Sequence, residues 1–203
     1  MRETADPSWQ INVDTSPAML LALYLRDSAG LDGCGTPAIS RAAPAVHRSD
    51  PRQLVHAAGG VTALRIEWET WWHQLVSNHS YGAASASPPD FPEFDSLPAL
   101  QLLAHAHYGA AMTWSGERRA EYVQLRQERV TAGRQQLFGG LVEERVLELG
   151  RDARGFTLKV VELPLSENRA WYVEPNKLIM SQGLHDDEPA FRSYIQPVVE
   201  LLV

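Results

Sequence analysis

The chain has 203 residues, 44% of them hydrophobic and 21% charged, ordinary globular values that exclude global disorder. Its 25 Asp and Glu against 18 Lys and Arg give a formal charge of −7, a field that repels a phosphate backbone and makes nucleic acid a poor partner. The single cysteine, Cys34, excludes an intrachain disulfide, a CxxC pair and a thiolate zinc cluster, and fits a reducing compartment.

The N-terminal MRETADPSWQINVDTSP has no apolar run of signal-peptide length, and the most apolar stretch, Ala18 to Leu25, is too short to span a bilayer. The expectation is a cytoplasmic protein with no membrane partner, opening on a tail over residues 1–9. Ser16 as an N-cap, Pro17 in the first turn and Gly30 as a stop predict a buried helix over residues 17–28. Glycine, proline and alanine then dominate to Asp50, which predicts a flexible surface connection near 28–50, before a helical turn at 51–58. Over residues 61–77 the positions of Val61, Leu64, Trp68, Trp71, Trp72 and Leu75 share one side of a helical wheel. Pro88, Pro89 and Pro92 break the pattern that follows and predict a second flexible connection near 79–95, pinned by Phe91 and Phe94.

Ser96 and Pro98 start a helix that reaches Trp114. Beyond it lies a charged helix with Ala120, Val123, Val130, Leu137 and Leu141 as its packing seam, interrupted at Gly139-Gly140 and ended by Gly150. The character changes near Gly155. FTLKVVELPL, RAWYV and KLIMS read as strands, and the short polar joins at Ser166–Asn168 and Glu174–Asn176 suit tight turns. The final stretch reads as a helix capped by Asp186 or Asp187, with Pro197 kinking it. The fold class expected is α+β: a mostly helical body over residues 10–150, then a three-stranded antiparallel β-meander and closing helix over 155–203, packed on the body.

The histidines and acids are the groups with chemistry to offer. On the wheel His73 points roughly 150° from the centre of the tryptophan stripe, with Glu69 one turn back on the same flank. An intrahelical surface pair worth ~0.3 kcal/mol is the ordinary reading; a metal or acid–base site needs at least one more ligand. Ile66 hints that this flank is covered. His105 and His107 diverge by about 200° on a helix and cannot chelate together. His107 falls on the apolar stripe with Leu103 and Trp114, as a core histidine, while His105 lies on the polar side with Tyr108 at its edge. Cys34, between Gly33 and Gly35, offers an accessible thiol that His47 or His56 could activate, or a plain free thiol in a flexible loop. The acids of HDDE, residues 185–188, suit a helix N-terminus as well as a hard cation.

No GxGxxG, Walker loop, HExxH, GxSxG or CxxC occurs in the chain. Elimination therefore favours a noncatalytic protein-binding or accessory protein, needing no cofactor, whose partner is another protein or a second copy. Its contact surface is expected on the 117–148 helix, where Tyr122, Leu125 and Arg126 combine aromatic and guanidinium groups, or on the exposed edge of the meander. The alternative is a small hydrolase or transferase, metal-dependent or acid–base, using Glu69, His73, His105 and Tyr108 in a pocket between the body and the C-terminal unit. Glu69, His73 and His105 would be the ligands of a divalent metal.

Overall fold

The computed structural model describes residues 9–48, 59–77, 86–150 and 153–203. The turn expected at 51–58, the tail up to residue 8, and His56 and His79 lie outside them. The described chain is α+β and divides into two compact units, one helical (Thr15–Glu121 with Leu163–Glu167), the other built on a sheet (the chain up to Asp14, Tyr122–Glu162 and Asn168–Val203). This differs from a boundary near residue 150, because the first strand and residues 122–150 belong with the C-terminal strands.

In the helical unit, α1 (Pro17–Ser28) starts as the sequence predicts, with the Ser16 hydroxyl accepting from the Met19 N–H at 3.3 Å. It buries an ion pair as well as leucines. Arg26 contacts Asp27 at 2.7 Å and donates to the carbonyls of Ile39 (2.9 Å) and Ser40 (2.7 Å), while Asp27 accepts from the Ala42 N–H at 2.7 Å. Residues 39–42 are thereby tied to α1, and Leu31, Cys34, Ile39 and Ala42 are buried. The expected loose surface connection is, through this stretch, an anchored one.

The second helix, α2 (Gly60–Ser77), buries Leu64, Trp68, Trp71, Trp72 and Leu75 as the wheel predicts. Val61 and Ile66 are 46% and 60% exposed, so the Ile66 flank is open rather than covered. Trp68 donates its indole N–H to the Ala22 carbonyl at 2.9 Å and stacks on Trp72 at 5.4 Å. Gly35, at φ +94, lies against this pair, and a Cβ there would come within 2.6 Å of the Trp72 ring. Phe94 meets Trp71 edge-on at 4.9 Å, which pins the 86–95 loop as expected.

The third helix, α3 (Pro98–Thr131), runs unbroken past Trp114 and across the division between the units. Its expected seam is out of phase. Val123 and Val130 are 66% and 45% exposed, whereas Trp114, Ser115, Arg118, Tyr122 and Arg129 are buried. The inward stripe carries arginines because each is compensated: Arg118 by Glu121 at 2.6 Å and the face of Trp114, Arg129 by Glu162 at 2.7 Å.

The sheet has four strands, β1 (Trp9–Asp14), β2 (Phe156–Leu163), β3 (Ala170–Val173) and β4 (Lys177–Ser181), in the order β1-β2-β4-β3. It is mostly parallel, with β3 and β4 its antiparallel pair. The simple antiparallel meander is corrected in two respects. The residues WQINVD, expected in the tail and body, add a strand parallel to β2, with Ile11 opposite Leu158 and Val13 opposite Val160. The inner strand is β4 rather than β3, because every position of β4 is buried while β3 is half-buried throughout, as an edge strand can be. The expected turn at 166–168 does not fold back on β2 either; within the helical unit Ser166 N–H donates to the Arg41 carbonyl and Ala43 N–H to that of Pro164, both at 2.9 Å.

One face of the sheet is covered by α4 (Leu137–Leu149) and α5 (Glu188–Leu202), through Phe138, Val142, Phe191, Ile195 and Val199 on Leu158, Val160, Leu178 and Met180. The break between α3 and α4 falls at Gly133, whose φ of +73 ends the helix, and not at Gly139-Gly140, which lie inside α4. Asp187 caps α5 by accepting from the Ala190 N–H at 3.0 Å, and Pro197 is accommodated within that helix. Among the described residues no helix is long and apolar enough to cross a membrane.

Candidate functional site

The side chains singled out on α2 have separate tasks. Glu69 accepts from the Gly35 N–H at 3.3 Å and so holds the 33–35 turn, whereas His73 is exposed with its Nε2 3.5 Å from the Ser77 hydroxyl. On α3, His105 and Tyr108 share a neighbour, Phe91, with ring centroids 4.9 and 5.0 Å away, and the Tyr108 hydroxyl donates to the Ala86 carbonyl at 3.2 Å. They fasten the 86–94 segment to the helix. His107 is half-buried, which pushes its imidazole toward the neutral form. Among the described residues no cluster of three or more His, Cys, Asp or Glu side chains is arranged to hold a metal ion.

Two further expectations change. Cys34 is fully buried, and burial pushes its thiol above the ordinary range, the reverse of an activated nucleophile. Tyr122 is only 3% exposed; Arg126 lies exposed with its guanidinium 5.8 Å over the Tyr122 ring, and Leu125 is half-buried. A partner approaching this face meets Arg126 and Val123 rather than the tyrosine.

The sheet unit holds a buried polar cluster that motif reading missed. Glu162, 1% exposed, receives Arg129 Nη1 on one oxygen and His185 Nε2 on the other, each at 2.7 Å. Arg129 also donates to the Gln182 carbonyl at 2.6 Å, and His185 stacks on Phe191 at 5.0 Å. Burial opposes ionisation of Glu162, but His185 and Arg129 outweigh it and hold the carboxyl below its ordinary range. Burial, with the Glu162 charge, raises the Tyr122 hydroxyl. The one sequence signal was a lone carboxylate inside the apolar run KVVELPL. Arg129, Glu162, Gln182 and His185 are each less than a tenth exposed, so the cluster joins α3, β2 and the turn before α5 as an internal strut.

A further feature of this unit lies at the β1 border of the sheet. A pocket of about 580 Å³ is lined by Trp9, Ile11 and Val13 of β1, by Gln136 just before α4, and by Phe138, Gly139, Gly140 and Glu143. Alternate residues of a strand share a face, so Trp9, Ile11 and Val13 form one wall. The two glycines leave the opposite wall low: a Cβ on Gly139 would meet only the Trp9 ring, at 3.7 Å, and one on Gly140 nothing within 4 Å. Glu143 is exposed and, among the described residues, makes no ion pair or hydrogen bond. β1 is an edge of the sheet. In a parallel pair every second residue sends its N–H and C=O to the neighbouring strand, so the others in β1 direct theirs outward.

No family model, curated protein or solved structure matches this chain. What the pocket can do therefore rests on its own chemistry. The residues that line it escaped motif reading, although the alternation of Trp9, Ile11 and Val13 is a strand signal.

Proposed function

We propose that this chain is a noncatalytic protein-binding protein that takes an extended polypeptide segment alongside β1. The observation that supports this reading is the pocket lined by β1, an edge strand of the sheet. Edges that must stay solitary usually carry lysine, proline or a bulge, and WQINVD has no lysine or proline. Strand addition satisfies the outward backbone groups, while alternate side chains of the guest enter the pocket. Two adjacent glycines inside α4 cost helix stability, roughly 1 kcal/mol each against alanine, a cost that an open groove explains.

Peptide display on the immobilised protein, with Gly140→Phe as the blocked control, tests the reading. Selected peptides should bind the wild type about tenfold or more tighter than the blocked variant. No selected peptide, or equal binding by both proteins, would remove it. The enzyme alternative, whether metal-dependent or acid–base, draws less support, since Glu69, His73, His105 and Tyr108 are occupied in fastening loops or turned to solvent.

A further inference from the structure

We infer that the guest of the β1 groove is a cationic segment of another protein, extended, with apolar side chains at alternate positions and a lysine or arginine placed against Glu143. This rests on the strand-addition reading above and adds the chemistry of the guest. Trp9, Ile11 and Val13 make an apolar wall, and the open space at Gly140 leaves room for an apolar side chain of the guest. A strand that pairs with β1 places every second side chain on that face, hence the alternation.

The charge requirement comes from Glu143. Its neighbours on α4 are engaged, Glu144 with Arg192 at 2.8 Å and Glu148 with Arg145 at 3.0 Å, while Glu143 lines the pocket without a partner among the described residues. A carboxylate beside an apolar wall disfavours an acidic guest and attracts a basic one, and the net charge of −7 steers in the same direction. A second copy of β1 is the competing occupant. Its WQINVD has the alternation but supplies an aspartate and no cation, so the complementarity points to a different protein.

The test uses the full-length protein and peptides selected by display, each resynthesised with its basic residue changed to glutamate. The basic form should bind tighter at low salt by up to about fivefold, the upper end for one solvent-facing ion pair. Glu143→Lys should invert the preference and Glu143→Gln abolish it, with melting temperatures unchanged. If selected peptides bind without charge preference, or Glu143→Lys leaves the preference intact, this inference falls while strand addition stands. If no peptide binds, both fall. Light scattering supplies the remaining arm: a monomer is expected, and a dimer that Gly140→Phe dissolves would assign the groove to a second copy and overturn the inference.

Discussion

Glu162 shows how much of the sheet unit depends on single polar side chains. Glu162→Gln leaves the buried Arg129 charge without its counter-ion and one acceptor oxygen where Arg129 and His185 each use one, so it should lower stability by about 3–5 kcal/mol in urea denaturation. A loss below about 1 kcal/mol would mean that the cluster is already well hydrated. Because the folded carboxyl is held below its unfolded value, its contribution is present above that value and drains away as pH falls through the folded one. The wild type should therefore lose stability on acidification more steeply than the Gln variant. Lys177, 2% exposed, is pushed down to about 8 by burial and, secondarily, by the Lys159 charge. Between about 8 and the ordinary lysine value of 10.5 the unfolded chain holds a proton that the folded one has shed, so this contribution grows with pH. The stability gap between wild type and Lys177→Met should move in favour of the wild type from pH 8 to 10; a gap flat across that range would show that the amine keeps its ordinary affinity. In the helical unit Trp68→Ala should cost ~3–5 kcal/mol, and His73→Ala far less, in paired thermal melts.

Among the elements, α1, α2 and α5 were legible because each announces itself by a cap or by aromatic and aliphatic periodicity, and Leu64, Trp68 and Leu75 face inward as the pattern requires. On α3 the same rule chose the wrong stripe. Apolar spacing points to Ala120, Val123 and Val130, which are exposed, and not to Arg118 and Arg129, whose burial depends on acids and an aromatic face that the local sequence does not show to be near. β1 went unread because its six residues sit between a polar start and a strong helix, and its partner lies far along the chain. The groove depended on that missing strand, so it could not be assembled from sequence. The helix breaks at Gly133 and not at the glycine pair for a reason that can be tested. Gly139 and Gly140 lie inside a helix and Gly140 faces open space, so Gly140→Ala should raise stability by up to about 1 kcal/mol. Gly133→Ala, at φ +73, should lower it by about the same amount or more. Equal effects at the two sites would contradict the position of the break.

At the scale of the whole molecule, chain order and spatial order diverge. β1 pairs with β2 across most of the sequence, and the hydrophobic core over the sheet draws on Phe138 and Val142 as well as on Phe191 and Ile195. A piece comprising residues 155–203, which reads as a self-contained meander and helix, should therefore remain unfolded by circular dichroism, lacking the α4 side of its core and its first strand. Cooperative folding of that piece would restore the sequential division. Contacts of such long separation delay sheet formation until nearly the whole chain is available, whereas α1, α2 and the start of α3 need only their near neighbours.

Cys34 gives the helical unit a built-in chemical clock. The sole thiol is fully buried, in a stretch that the bonds from Arg26, Asp27 and Glu69 hold down. An alkylating reagent can reach it only when that stretch lifts, so the alkylation rate in the native protein measures the free energy of the opening, in the way that amide exchange measures local unfolding. Glu69→Ala, which frees the Gly35 tether without unpairing a buried charge, should accelerate labelling well before it changes the global melt.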